Sequence, residues 1–297
     1  AMAIHKIQHS LLKNRVLTYV LLIVASMTLL TSCEENSDID IDPADEQILY
    51  CYIFPDSIVT VHLYKAVAYT SEKNMTPVEK GSTITIETLN RQYTSETDNE
   101  TTSFIFRDLT TEPDSTITIE VLDRSANNAS ATTYIPHKPE VRMVDTTTIR
   151  IDYTEYLQCR LELTDEKNVS NYYQLIMRDG NRNVIDSVEY DDPIFFSHSS
   201  TIFSPNQMYG LFSDTYIQDS KYQLFLTFPK RLIRENEHIT IELYNLTYDH
   251  YCYLQMLSRL QQYIILPVFG ISSLYSNVIG GTGLVTGVNM WQYTLKE

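Results

Sequence analysis

Thr83-Ile84-Thr85-Ile86-Glu87-Thr88 is the stretch whose reading decides the fold. Isoleucine alternates with polar residues at period two, which places one apolar row on one face of an extended chain and a polar row on the other. Thr116-Ile117-Thr118-Ile119-Glu120-Val121 repeats the pattern. Working outward, further strands are expected at Ile48 to Phe54, Ile58 to Ala68, Gln92 to Ser95, Ser103 to Arg107 and Ala129 to Ile135. Seven short strands within residues 47–136, without a helical pattern, indicate an immunoglobulin-like β-sandwich. Pro136 and Pro139 mark the expected boundary.

The second half begins in the same way. Strands are expected at Arg142 to Tyr153, Gln158 to Leu163, Tyr172 to Arg178, Tyr222 to Phe228, Ile239 to Tyr244 and Val288 to Leu295. Asp179-Gly180 reads as a hairpin turn into another strand, Asn183 to Tyr190. A helix is expected near 248–263, capped by Thr247, with Asp249 in its first turn and Arg259 toward its end. Tyr251, Leu254, Leu257 and Leu260 form one apolar stripe and Tyr253, Met256 and Tyr263 a second, so the helix should wedge against a sheet. The fold class is therefore mainly β: a sandwich over 47–136, then a second β-rich domain over 137–297 carrying one C-terminal helix.

Ahead of the sandwich lie two segments of different character. Lys6, Lys13 and Arg15 precede an apolar run from Val16 to Leu30, which ends in Leu30-Thr31-Ser32-Cys33. The run is shorter than the roughly twenty residues a membrane-spanning helix needs. It reads as a signal peptide over 1–32. Leu30-Thr31-Ser32-Cys33 resembles a bacterial lipobox, which implies lipidation of Cys33. Glu34 to Glu46 holds seven acids and no base, an acidic tether over 33–46 that cannot bury enough to fold alone. Acids directly after a lipidated cysteine also resemble surface-export signals.

The formal net charge of −16 becomes more negative once the basic leader is gone. Such a surface repels DNA, RNA and anionic lipid headgroups. Of the four cysteines, Cys33 is assigned to lipid; Cys51, Cys159 and Cys252 are expected as buried free thiols.

Several chemistries are weighed and set aside. His62, His137, His198, His238 and His250 lack zinc-site spacing, and no metal or cofactor is expected. Ser197-His198-Ser199 is adjacency and not a triad, and no Gly-x-Ser-x-Gly elbow exists. Asp191 and Asp192 could contribute to a carboxylate pair, but such pairs are recognised only by spatial separation. Gly280-Gly281-Thr282-Gly283 lacks the lysine and following helix of a phosphate loop; the glycines are expected to supply positive φ in a tight bend. Tyrosine is in excess, 22 against 10 phenylalanines and one tryptophan. Tyr209, Phe212 and Tyr216, around Gly210, are candidates for a binding face.

A set of motifs occurs in one order: the lipobox, Asn171-Tyr172-Tyr173, Phe212-Ser213-Asp214, the Tyr251 to Leu260 helix, and Ser276-Asn277-Val278-Ile279-Gly280-Gly281-Thr282-Gly283. Together they resemble the Bacteroidetes lipoproteins grouped as the domain of unknown function DUF4249. The chain has Leu284-Val285-Thr286 where that family suggests an aromatic residue. The resemblance implies a lipid-anchored outer-membrane protein facing the periplasm or the cell surface. It implies work beside a TonB-dependent transporter and no known catalytic residues, and it makes Ser276, Asn277, Gly280, Gly281 and Gly283 binding candidates. Two other functions fit the same compartment. One is an adhesin or fimbrial subunit, disfavoured because no Lys or Arg lies between Cys33 and Lys65 for processing; the other is a hydrolase without a recognisable motif.

Overall fold

The computed structural model describes residues 46–66, 76–78, 80–98, 101–123, 128–165, 169–185, 192–196, 210–217, 221–263 and 274–296. The chain divides into Ala1–Asp42, which lies outside the described residues together with Cys33 and the signal segment, and Pro43–Glu297.

The protein is mainly β. The first seven strands are β1 (Gln47–Ile53), β2 (Val59–Lys65), β3 (Thr83–Thr88), β4 (Gln92–Glu96), β5 (Ser103–Phe106), β6 (Thr116–Leu122) and β7 (Ala129–Tyr134). Each falls where period-two alternation places it, and buried residues alternate along β1, β2, β5, β6 and β7, as in β6, where Ile117, Ile119 and Val121 are all buried; in β3 Thr85 is buried as well, between Ile84 and Ile86. Strands β4-β3-β6-β7 form one sheet. Its apolar row shares a core with Leu49, Cys51 and Ile53 of β1, Val59, Val61 and Leu63 of β2, and Phe104 and Phe106 of β5.

The second half supplies β8 (Glu140–Ile151), β9 (Thr154–Thr164), β10 (Tyr172–Arg178), β11 (Leu211–Ser213), β12 (Lys221–Pro229), β13 (His238–Leu246) and β14 (Gly281–Lys296). It also supplies the short helix α1 (Arg231–Glu235) and the long helix α2 (Tyr248–Tyr263). Sheet β12-β9-β8 packs its leucines against β10 and β13 around Tyr173, Leu175, Met177, Phe195, Phe212 and Leu243. The turn after β10 forms around Asp179, whose Oδ1 accepts from Asn181 N at 2.9 Å and Asn183 N at 2.7 Å. Beyond it the expected strand is a single bridge, Arg178 to Val184, and residues 186–190 lie outside the described residues.

The division near 136/137 separates two cores but not two domains. A single sheet runs β11-β10-β13-β14-β1-β2-β5 through both halves. Its hinge is β14, expected only over Val288 to Leu295. Gly281 to Gly287 pair in parallel with β1, and Val288 to Lys296 pair antiparallel with β13. Val278 and Val285, from the end of the chain, belong to the first core. The sandwich of residues 47–136 is therefore completed from the far end of the sequence. Burial in β14 is continuous from Gly283 to Asn289, because the sandwich covers one face and α2 covers the other. Strands buried on both faces lose the alternation that reveals them.

Candidate functional site

The residues that mark the terminal motif are occupied with structure. Asn277 Nδ2 donates to Val285 O at 2.8 Å and Val285 N donates to Asn277 Oδ1 at 3.0 Å. The same Nδ2 reaches Asp249 Oδ2 at 3.3 Å, and the Tyr275 hydroxyl donates to the other carboxylate oxygen. Asp249 lies in the first turn of α2, where a carboxylate also suits the helix dipole. Thr247 caps that turn, accepting from His250 N at 3.3 Å, while its hydroxyl meets Thr286 of β14 at 2.8 Å. Ser276 Oγ accepts from Val278 N at 3.1 Å. Segment 274–278 thus ties the start of α2 to the seven-stranded sheet.

The glycines of the motif admit neighbouring backbone. Gly283 has φ 127°, and a Cβ there would run into Leu49 O of β1. Gly280 has φ 76°, and its Cβ would meet Asn128 O. Gly281 is not in the left-handed region, but a Cβ would lie 2.5 Å from Gln47 O. All three let β14 approach β1 or the start of β7 more closely than any side chain allows.

Asn171 and Asp214, from the other two motifs, lock β10 to β11: Asn171 N donates to Asp214 Oδ2 at 2.6 Å and Asp214 N to Asn171 O at 3.1 Å. Phe212 is a core residue and not a binding face. It is fully buried, stacks on Tyr173 at 5.1 Å between ring centroids and meets Phe195 edge-on at 5.4 Å. Placing it on the surface failed because the three-residue β11 makes an inward position out of what reads as a loop. Tyr209 lies outside the described residues. Tyr216 ends a short 3-10 turn, Asp214–Tyr216, and its side chain lies outside them too. Asp192 is buried and structural: it accepts from the Tyr222 hydroxyl at 2.5 Å and from Phe225 N at 3.0 Å. Asp191 lies outside the described residues.

Among the described residues no group of three His, Cys, Asp or Glu side chains could hold a metal ion, and no helix is long and apolar enough to cross a membrane. Cys51, Cys159 and Cys252 are free. Burial pushes the thiols of Cys51 and Cys159 up to about 12, so neither is a nucleophile at neutral pH. His250 is buried beside Tyr52, ring centroids 5.4 Å apart, and desolvation lowers it to about 4.

Two concavities are lined by described residues. The larger, about 310 Å³, lies at one end of the sandwich between the β3–β4 turn and the segment before β6. Leu89, Asn90, Arg91, Tyr93, Thr111 and Glu112 are among its walls. Leu89 stands 87% exposed on the turn. Tyr93 is held by its hydroxyl, which donates to Asp108 O at 3.0 Å. The sequence reading missed this site, because Arg91 and Glu112 come to one cleft only through the turns at that end of the sheet. The one signal was Leu89, an apolar residue out of step with the alternation of β3. The smaller concavity, about 50 Å³, lies where the linker Pro136–His137 passes β13. Asn245 and Asn289, paired across β13 and β14, hold that linker by donating to His137 O and Pro136 O, each at 3.1 Å.

The family described as a domain of unknown function, DUF4249, matches residues 34–294. The chain belongs to the DUF4249 family. No curated protein matches it. Among solved structures, a two-domain fibronectin type III segment from chicken tenascin is 9% identical, covering 85% of this chain and 100% of its own, with a TM-score of 0.23. A protein from Bacteroides uniformis, provisionally described as carbohydrate binding, is 12% identical, covering 85% of this chain and 99% of its own, with a TM-score of 0.21. In this DUF4249 chain the described parts of the shared motifs form the frame: they fasten β14, α2 and β11, and Asn171 also lines the smaller concavity.

Proposed function

We propose that this DUF4249 chain is a ligand- or partner-binding protein of the outer membrane, tethered through lipid on Cys33 and the acidic stretch after it, and working as an accessory to a TonB-dependent transporter. The reading is one of binding and not of catalysis. The observation that carries it is the cleft of about 310 Å³, at the lower end of the range for small-molecule sites. Arg91 and Glu112 both line it, and neither side chain has an ion-pair partner among the described residues. Opposite charges left unpaired in one cleft, beside a fixed tyrosine ring, suit a small polar ligand better than an apolar one.

The test is native mass measurement and partner identification on protein purified from detergent-solubilised outer membranes, comparing the natural chain with an Arg91→Ala, Glu112→Ala double variant. Expected is a bound small molecule or a co-purifying transporter with the natural chain, diminished in the variant. Neither species with the natural chain, or equal amounts with both, would overturn the assignment. The tether is tested separately: Cys33→Ala should lose lipid label and leave the membrane fraction.

A further inference from the structure

We propose that the crevice at the junction of the two halves, bounded by Asp114, Tyr134, Asn171 and Asn245, is a recognition site for a primary ammonium group. It is separate from the cleft at the end of the sandwich.

Asn245 is 3% exposed. Its Nδ2 uses both hydrogens, donating to His137 O at 3.1 Å and to Asn171 Oδ1 at 3.2 Å, so the orientation of the amide is fixed. The Oδ1 that remains is buried and accepts no hydrogen bond. A buried carbonyl oxygen of this kind requires a donor, and nearly all such groups in folded proteins have one. Asn245 lines the crevice, so an occupant can supply it.

Size and surroundings narrow the occupant. About 50 Å³ compares with roughly 30 Å³ for one water in the liquid, which leaves room for an ammonium head and one methylene but not for a sugar ring or a guanidinium. The mouth carries a carboxylate and a tyrosine ring. Asp114 is exposed there, with one carboxylate oxygen 2.6 Å from His137 Nε2. Tyr134 lines the crevice, and burial together with Tyr172, Asp249 and Asp114 raises its phenol. Tyrosine faces attract a cation, and a chain of net charge −16 draws cations toward it and repels anions. An ammonium brings three donors and a positive charge to a site that offers a buried acceptor, a carboxylate and a tyrosine ring.

The experiment follows the Asn245 side-chain amide by ¹H–¹⁵N NMR while n-butylammonium is added to the folded chain. n-Butanol, of the same shape and without charge, is the control. Expected is a saturable shift with n-butylammonium, binding about tenfold weaker with n-butanol, and about threefold weaker ammonium binding in Asp114→Asn. Tyr134→Leu, which removes a ring from the mouth, should weaken it also, with melting curves confirming that both variants are folded. An end-blocked Gly-Lys-Gly peptide distinguishes sources. Tighter binding than the free amine assigns a lysine of a partner protein, and equal binding assigns a soluble amine; both support the site. No saturable shift, which would make the crevice a water pocket, or equal binding of butanol, or Asp114→Asn binding like the natural chain, would overturn the proposal.

Discussion

Asn277 and Val285 exchange two hydrogen bonds, side chain to backbone, at 2.8 and 3.0 Å. The amide imitates the edge of a strand for a backbone pair that has no strand on that side, and Val285 is fully buried. Truncating Asn277→Ala strands a buried N–H and C=O together and should cost about 2 kcal/mol. Urea unfolding reads this directly; a loss within error of zero would mean that water replaces the amide.

Gly283 should be the least replaceable of the described glycines. Alanine there meets both a φ of 127° and Leu49 O, so Gly283→Ala is expected to destabilise by about 2 to 4 kcal/mol. Thr282→Ala, at an exposed neighbour, should stay within about 0.5 kcal/mol. Equal melting of the two variants would show that β14 can withdraw from β1 at no cost.

A fragment of residues 47–136 should fail to unfold cooperatively. It lacks Val278, Val285 and the pairing of β14 with β1, losing about 1.5 to 3 kcal/mol for each large apolar side chain no longer buried and opening the β1 edge to aggregation. Addition of a peptide of residues 274–290 should restore a transition by strand complementation. A sharp two-state transition of the fragment alone would make the first sandwich autonomous after all.

Acid should weaken the fold through His250. Its folded value of about 4 lies below the ordinary 6.5 because burial penalises the charged ring. The unfolded chain therefore takes up the proton first. The contribution is fully present above pH 6.5 and is lost progressively as pH falls toward 4, by about 3 kcal/mol at the bottom of that window. His250→Gln should flatten this part of the stability profile; an unchanged slope would place the acid sensitivity elsewhere.

The sequence by itself determined the half-buried strands and the main helix. Where one face of a strand is wet and the other dry, as in β2 and β6, the burial pattern is written as alternation, and α2 is written in its cap and apolar stripes. Tertiary structure alone decided the rest. β14 hides its first half because it is buried on both faces and rich in glycine, so neither alternation nor propensity marks it, and its parallel partner lies at the opposite end of the chain. Phe212 reads as a loop aromatic until β11 turns it into a core. Arg91 and Glu112, and likewise Asp114 and Asn245, belong to concavities that exist only once distant turns are brought together. Local patterns report which face of an element meets water, whereas the shape of a cleft depends on which elements the register places side by side.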